Sequence, residues 1–240
     1  MGEGNIKPKL VALVKTGADE QRAFVAGLTD AQRTQVGTPQ RWSAKDNLAH
    51  IAFWQKHLVG DHQTLERGET PPQLPDDNEQ NQIIFQMYRD QTWSEVNAAA
   101  ESAYKGLLAL LEGYSEADLT TPNRLPSPRD YPLWRDFLSS GYSHPVFHYA
   151  DFYLEHGDVA RATTLQIQLA KGTASLGDDD ARGVADYNLA CFYAKSGQKD
   201  AALALLPNAL KLSPRLVEWS KEDPDLVSLH GDAVYQGLYT

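Results

Sequence analysis

The sequence predicts an all-α protein, a four-helix bundle followed by a smaller helical hairpin region. Three observations carry this. Apolar residues recur at three- and four-residue spacing along every long segment, no stretch alternates as a strand would, and Pro/Gly clusters punctuate the segments. At 240 residues the chain can bury one large core or two smaller ones.

The first helix is expected over about 7–28, with Leu10, Leu13, Val14, Phe24 and Leu28 on its apolar side. A polar link, "TDAQRTQVGTPQR", leads to a second helix with a marked start. There Ser43 is followed three residues later by Asp46, an acidic relative of the capping box that satisfies free N–H groups. Leu48, Ile51, Trp54, Leu58 and Leu65 then repeat at helical spacing until "ETPPQLPDDN" ends the run, because adjacent prolines cannot continue a helix. One long third helix is expected over about 79–111, anchored by Ile83, Tyr88, Trp93, Val96, Leu107 and Leu111. Ser115 caps a short turn, and the prolines of "TTPNRLPSPRDYP" keep the next segment extended. The fourth helix begins near Leu133. Two of the connections are long enough for more than up-down topology.

Past Gly157 aromatics thin out, alanine rises and the helices shorten. The expected domains are therefore 1–157 and 158–240. Gly197 and Pro214 end successive helices, as an antiparallel hairpin requires, and Asp223-Pro224 marks a further helix start.

A formal net charge of -10, with no Lys/Arg cluster, argues against nucleic acid or an anionic membrane as partner. The one cysteine, Cys191, permits no internal disulfide and no cysteine-rich zinc site, and its apolar neighbours suggest a buried small residue. No run of about 18 apolar residues occurs, and "MGEGNIKPKL" has no apolar signal-peptide core. The expected setting is reduced and cytoplasmic.

The chemistry-bearing stretch is "SHPVFHYADFYLEHGD". His144 and His148, four apart, share one helix face, as two ligands of one metal would and as a wet face also tolerates. Pro145 complicates this. In a helix interior it removes a hydrogen bond and presses on the carbonyl of Gly141, so a kink or a fresh helix start is expected there. His144 and His148 then need not keep ideal geometry.

Three fragments carry a family resemblance. "WSAKDNLAHIAFWQ" resembles the second helix of the DinB-like superfamily, in particular its ClbS/DfsB-like branch. "NQIIFQMYRDQTWSEVNAAAESAYKGLLALLEGYSEADL" resembles that branch's third helix and turn, and "GYSHPVFHYADFYLEHGD" its fourth. The resemblance covers about the first two-thirds of the chain and implies a four-helix bundle. It also implies a divalent metal (zinc, nickel or manganese) held by His50, His144 and His148. On that reading the chain is a transferase or hydrolase acting on a small electrophile, with a low-molecular-weight thiol as a possible co-substrate and the metal activating thiol or water. Asp151, three residues beyond His148, would accept from a ligating imidazole. Trp54, His57 and Tyr88 would line the pocket. His62, His156 and His230 are expected in solvent.

Beyond 158, "DYNLACFYAKSGQKDAALALLPNALKLSP" resembles a tetratricopeptide repeat, with Leu189, Ala190, Tyr193, Gly197, Ala202, Leu206, Ala209 and Pro214 on the motif's spacing. Two other functions stay open. One is a metal-free ClbS-like protein that binds or opens a strained small molecule, its His50 and His148 bonded to tyrosines. The other is an interaction protein whose hairpin mediates self-association or takes a protein partner.

Overall fold

The computed structural model describes residues 5–125 and 131–239. Residues 126–130 of the proline-rich loop, and the start of the chain read above for a signal-peptide core up to residue 4, lie outside the described residues. Among the described residues the chain is helical, with only two isolated β-bridges, Thr38–Arg41 and Pro122–Pro132. None of these helices is long and apolar enough to cross a membrane. Two compact units divide between Tyr149 and Ala150.

In the first unit α1 (Ile6–Gly27) buries Leu10, Leu13, Val14, Gly17, Gln21 and Phe24, one stripe at three- and four-residue spacing. Its free N-terminal amides find an anion: the Ile6 and Lys7 N–H groups donate to the Glu116 carboxylate at 2.7 and 2.8 Å. A short α2 (Asp30–Thr34) starts on a Thr29/Gln32 capping box. The box expected at Ser43 and Asp46 opens α3 (Ala44–Glu66), with Ser43 Oγ donating to Asp46 Oδ2 at 2.6 Å.

The long third helix is corrected to two. After α4 (Asp77–Tyr88) the chain turns, and Thr92 caps α5 (Trp93–Gly113) in a box with Glu95. The apolar spacing runs on through the break, but Thr-x-x-Glu is a start signal that competes with it. Nor is Ile83 an anchor: it is 40% exposed, and α4 buries Gln80, Ile84 and Tyr88 instead. Ser115 opens α6 (Glu116–Thr120) with Asp118 as its box partner. The fourth long segment is composite: α7 (Trp134–Leu138), a π-helical turn (Ser139–Ser143) and α8 (His144–Glu155).

These segments make the bundle. α3 packs along α5 and carries α4 on its flank, while α1 packs on α5, α7 and the π-turn. Leu48, Ile51, Leu107, Leu111 and Phe137 are fully buried, each stabilising the core by roughly 1.5–3 kcal/mol. Tyr149 stacks on Phe24 with ring centres 4.6 Å apart. At the α1 crossing only glycine fits, since a Cβ on Gly17 would lie 2.1 Å from the Gly141 carbonyl oxygen.

The second unit holds α9 (Val159–Ala174), α10 (Asp179–Lys195), α11 (Lys199–Leu212), α12 (Val217–Glu222) and α13 (Ala233–Gly237). Gly197, at φ 80°, turns α10 into α11, and the pair closes tightly: a Cβ on Gly183 would sit 2.9 Å from the Ala209 carbonyl oxygen. Ala190, Ala202, Leu206 and Ala209 are fully buried between them. Asp223 caps the 3-10 turn Pro224–Leu229. Its buried carboxylate also accepts from the Tyr187 hydroxyl (2.6 Å) and the Trp219 indole (3.0 Å). Cys191 lies beside it, and burial plus the Asp223 charge push its thiol far up, so it is an inert packing residue.

Candidate metal centre

The π-turn explains how a proline sits inside the fourth segment. The His144 N–H reaches back five residues to the Ser139 carbonyl, and Pro145 has no N–H to give. The carbonyls of Ser140 and Gly141 thus lose their ordinary helical donors. Side chains from two other helices replace them: Gln55 Nε2 of α3 donates to Ser140 O at 3.0 Å, and the Tyr104 hydroxyl of α5 donates to Gly141 O at 3.3 Å. The kink or restart expected around Pro145 takes the form of this π-turn, with a new α-helix beginning at His144. Helical backbone runs through it, and the strain is absorbed one turn earlier as one extra residue in the π-turn.

That arrangement aims His144 and His148 at His50 on α3. His144 Nε2 lies 2.9 Å from His50 Nε2 and 2.9 Å from His148 Nε2. Trp42 stacks on the His148 ring, and Trp54 meets His50 edge-on. None of the three imidazoles is bonded to a tyrosine hydroxyl among the described residues. Burial depresses all three basicities. His50 falls to about 3, with the neighbouring His144 adding to the effect, and His144 falls to about 4. His148 is held well below its ordinary value by burial and by both neighbours. At neutral pH the site is three uncharged imidazoles.

Three converging nitrogens make a poor hydrogen-bond set, because His144 Nε2 carries one proton or one lone pair for two partners. They make a good ligand set. Nitrogens about 2.0–2.1 Å from a shared ion would stand about 2.9–3.4 Å apart, depending on the angle between them. The spacing already fits a divalent cation, and the neutral state leaves each lone pair available. His50, His144 and His148 also meet the geometric requirement for holding an ion as a group.

The trio forms one wall of a cavity of about 580 Å³. Trp54 and His57 line it as expected, and His57 Nε2 faces Asp61 Oδ2 at 3.3 Å. Tyr88 does not reach it and is buried in the core. Asp151 takes another partner: its carboxylate faces Lys195 Nζ at 3.5 Å rather than an imidazole. A second cavity of about 430 Å³ shares Trp54, His57, Leu58, Asp61, Asp77 and Asp136 with the first and is bounded beyond them by the Pro71–Pro75 loop.

His62, expected in solvent, is buried at 3% exposure, with the Tyr114 hydroxyl at 3.2 Å and Asp136 at 3.7 Å. The signal was present, since Ile51, Leu58, His62 and Leu65 continue one stripe of α3. Asp136, which accepts from the Tyr131 hydroxyl at 3.0 Å, had no local pattern that could single it out.

Among curated proteins and solved structures, none matches the chain closely enough to count as a relative. A family does match: the profile of the DinB superfamily fits residues 13–151, which is more than half of the chain and contains most of the bundle and all three histidines. The chain belongs to the DinB superfamily.

Proposed function

We propose that the bundle is a metal-dependent transferase or hydrolase for a small electrophile, with His50, His144 and His148 holding a zinc, nickel or manganese ion. The observation that carries this is the convergence of three neutral Nε2 atoms, with 2.9 Å from His144 to each of the other two, on a cavity large enough for a small organic molecule. A divalent ion in such a site supplies Lewis acidity and lowers the pKa of a thiol or water nucleophile. The protein's own part is positional. Trp42 and Trp54 pack against the imidazoles and limit water on that wall. His57, oriented by Asp61, is placed to accept a proton from the nucleophile and return it to the leaving group.

The test is thiol conjugation of monochlorobimane, using metal-stripped chain, chain reloaded with each ion, and reloaded His148→Ala. The reading expects activity only in the reloaded wild type. Equal activity in stripped protein sinks the metal role.

The tryptophan-rich wall also favours a metal-free ClbS-like pocket that binds or opens a strained ring, which ligand binding undiminished in chelator would support. The tetratricopeptide-like reading of α10–α11 makes that hairpin a surface for a protein partner or for self-association, and loss of the partner on removing residues beyond 158 tests it. A cytoplasmic setting suits reduced Cys191 and a thiol co-substrate.

A further inference from the structure

Gln55 breaks the ordinary rule of burial. It is fully buried on α3, and its side-chain oxygen has no hydrogen-bond partner among the described residues. An apolar side chain would avoid that cost, so the amide has to return something through its other end. What it makes is one bond, from Nε2 to the Ser140 carbonyl at 3.0 Å. Tyr104, also buried, makes the neighbouring bond, from its hydroxyl to the Gly141 carbonyl at 3.3 Å. Both acceptors belong to the π-turn.

The spacing ties these bonds to the histidines. His50 and Gln55 lie five residues apart on α3, and Ser140 and His144 lie four apart on the opposing segment. α3 therefore meets that segment twice: Gln55 holds the turn, and His50 Nε2 lies 2.9 Å from His144 Nε2. A helical segment with one extra residue is prone to relax, and each residue of register rotates a side chain by about 100° about the axis. A slip in the turn would carry His144 away from His50.

We infer that Gln55 and Tyr104 are positioning residues for the histidine cluster: they hold the π-turn in the register that brings His144 Nε2 to His50. The consequence for an ion rests on the three-histidine reading proposed above; the placement of His144 does not.

Gln55→Leu and Tyr104→Phe each remove a donor while keeping most of the volume. Gln55→Met is measured beside Gln55→Leu, so that a folding failure of one does not hide the effect in the other. Leu119→Ala, in the core but outside α3, α5 and the turn, controls for general loosening. The full chain is read at pH 7.5 in two states. Metal-free, long-range proton–nitrogen spectra report the imidazole nitrogens of His50 and His144. Loaded, the visible absorption of cobalt(II) reports ligand geometry, and competition with a chromophoric chelator gives zinc affinity. In Gln55→Leu the His144 signals should move, the cobalt absorption should change shape, and zinc affinity should fall about tenfold or more. Tyr104→Phe, whose lost bond is the longer one, should move the same signals and lose about threefold. Leu119→Ala should lose stability and keep all three.

Unmoved His144 signals in the donor variants overturn the inference. So does an equal change in Leu119→Ala, or zinc affinity within about twofold of a metal-binding wild type in every donor variant. A wild type that takes up no zinc sinks the ion reading alone, and the nitrogen signals of the metal-free chain then decide the positioning.

Discussion

Acid should loosen the metal-free bundle, and the three histidines set how much. An imidazole in the unfolded chain titrates near pH 6.5, whereas His50 in the folded chain is held down to about 3 by burial and by His144. Between those values the unfolded state binds the extra proton, so stability rises with pH across the window. Above about pH 6.5 neither state is protonated and the penalty is absent; it is complete only below about pH 3. At pH 5 the unfolded imidazole is almost fully charged and the folded one is not, which costs about 2 kcal/mol for His50 alone. His144, held to about 4, adds a little less, and His148 shifts in the same direction. Each such cost is a sizeable part of the stability of an ordinary domain, about 5–15 kcal/mol.

The assay is urea unfolding at pH 7, 6 and 5 in chelator. It is followed by tryptophan fluorescence, which reports mainly on the bundle because only Trp219 of the five tryptophans lies beyond Tyr149. His50→Gln removes one titrating group while keeping a polar side chain of similar reach. It should lose about 2 kcal/mol less than wild type between pH 7 and 5. An identical loss in both proteins would show that His50 is not buried as a neutral base.

Other perturbations probe the scaffold. Pro145→Ala restores an N–H, letting the π-turn relax toward α-helix and rotating His144 off His50; affinity for zinc, by competition with a chromophoric chelator, should fall at least about tenfold without loss of thermal stability. Unchanged affinity would mean that the π-turn does not aim the imidazole. Gly17→Ala drives a methyl into the Gly141 carbonyl and should cost roughly 1–3 kcal/mol in denaturant unfolding. Tyr187→Phe removes a donor from the buried Asp223 carboxylate, and a loss of about 1.5–3 kcal/mol is expected from the C-terminal unit, read through Trp219.

Local rules carried most of the fold. The stripe Leu10, Leu13, Val14, Phe24 located α1, and Ser43 with Asp46 fixed the start of α3 to the residue. The break at Arg89 was masked because apolar spacing outweighed the Thr92–Glu95 box that the same residues spell out. Pro145 was legible as a break but not in its form. Proline chemistry predicts a lost hydrogen bond, but whether distant donors replace it depends on Gln55 and Tyr104 arriving from other helices, which spacing cannot show. For the site, two histidines were legible as a helical pair and His50 only through family resemblance, since its distance to His144 is tertiary.

The central claim is that His50, His144 and His148 hold one divalent ion, and elemental analysis tests it most directly. Untagged protein purified without added metal is measured beside His148→Ala. The account predicts close to one equivalent of zinc, nickel or manganese in the wild type and a large loss in the variant. No metal in the wild type, even after incubation with each ion, would contradict it, and so would equal metal in the two proteins.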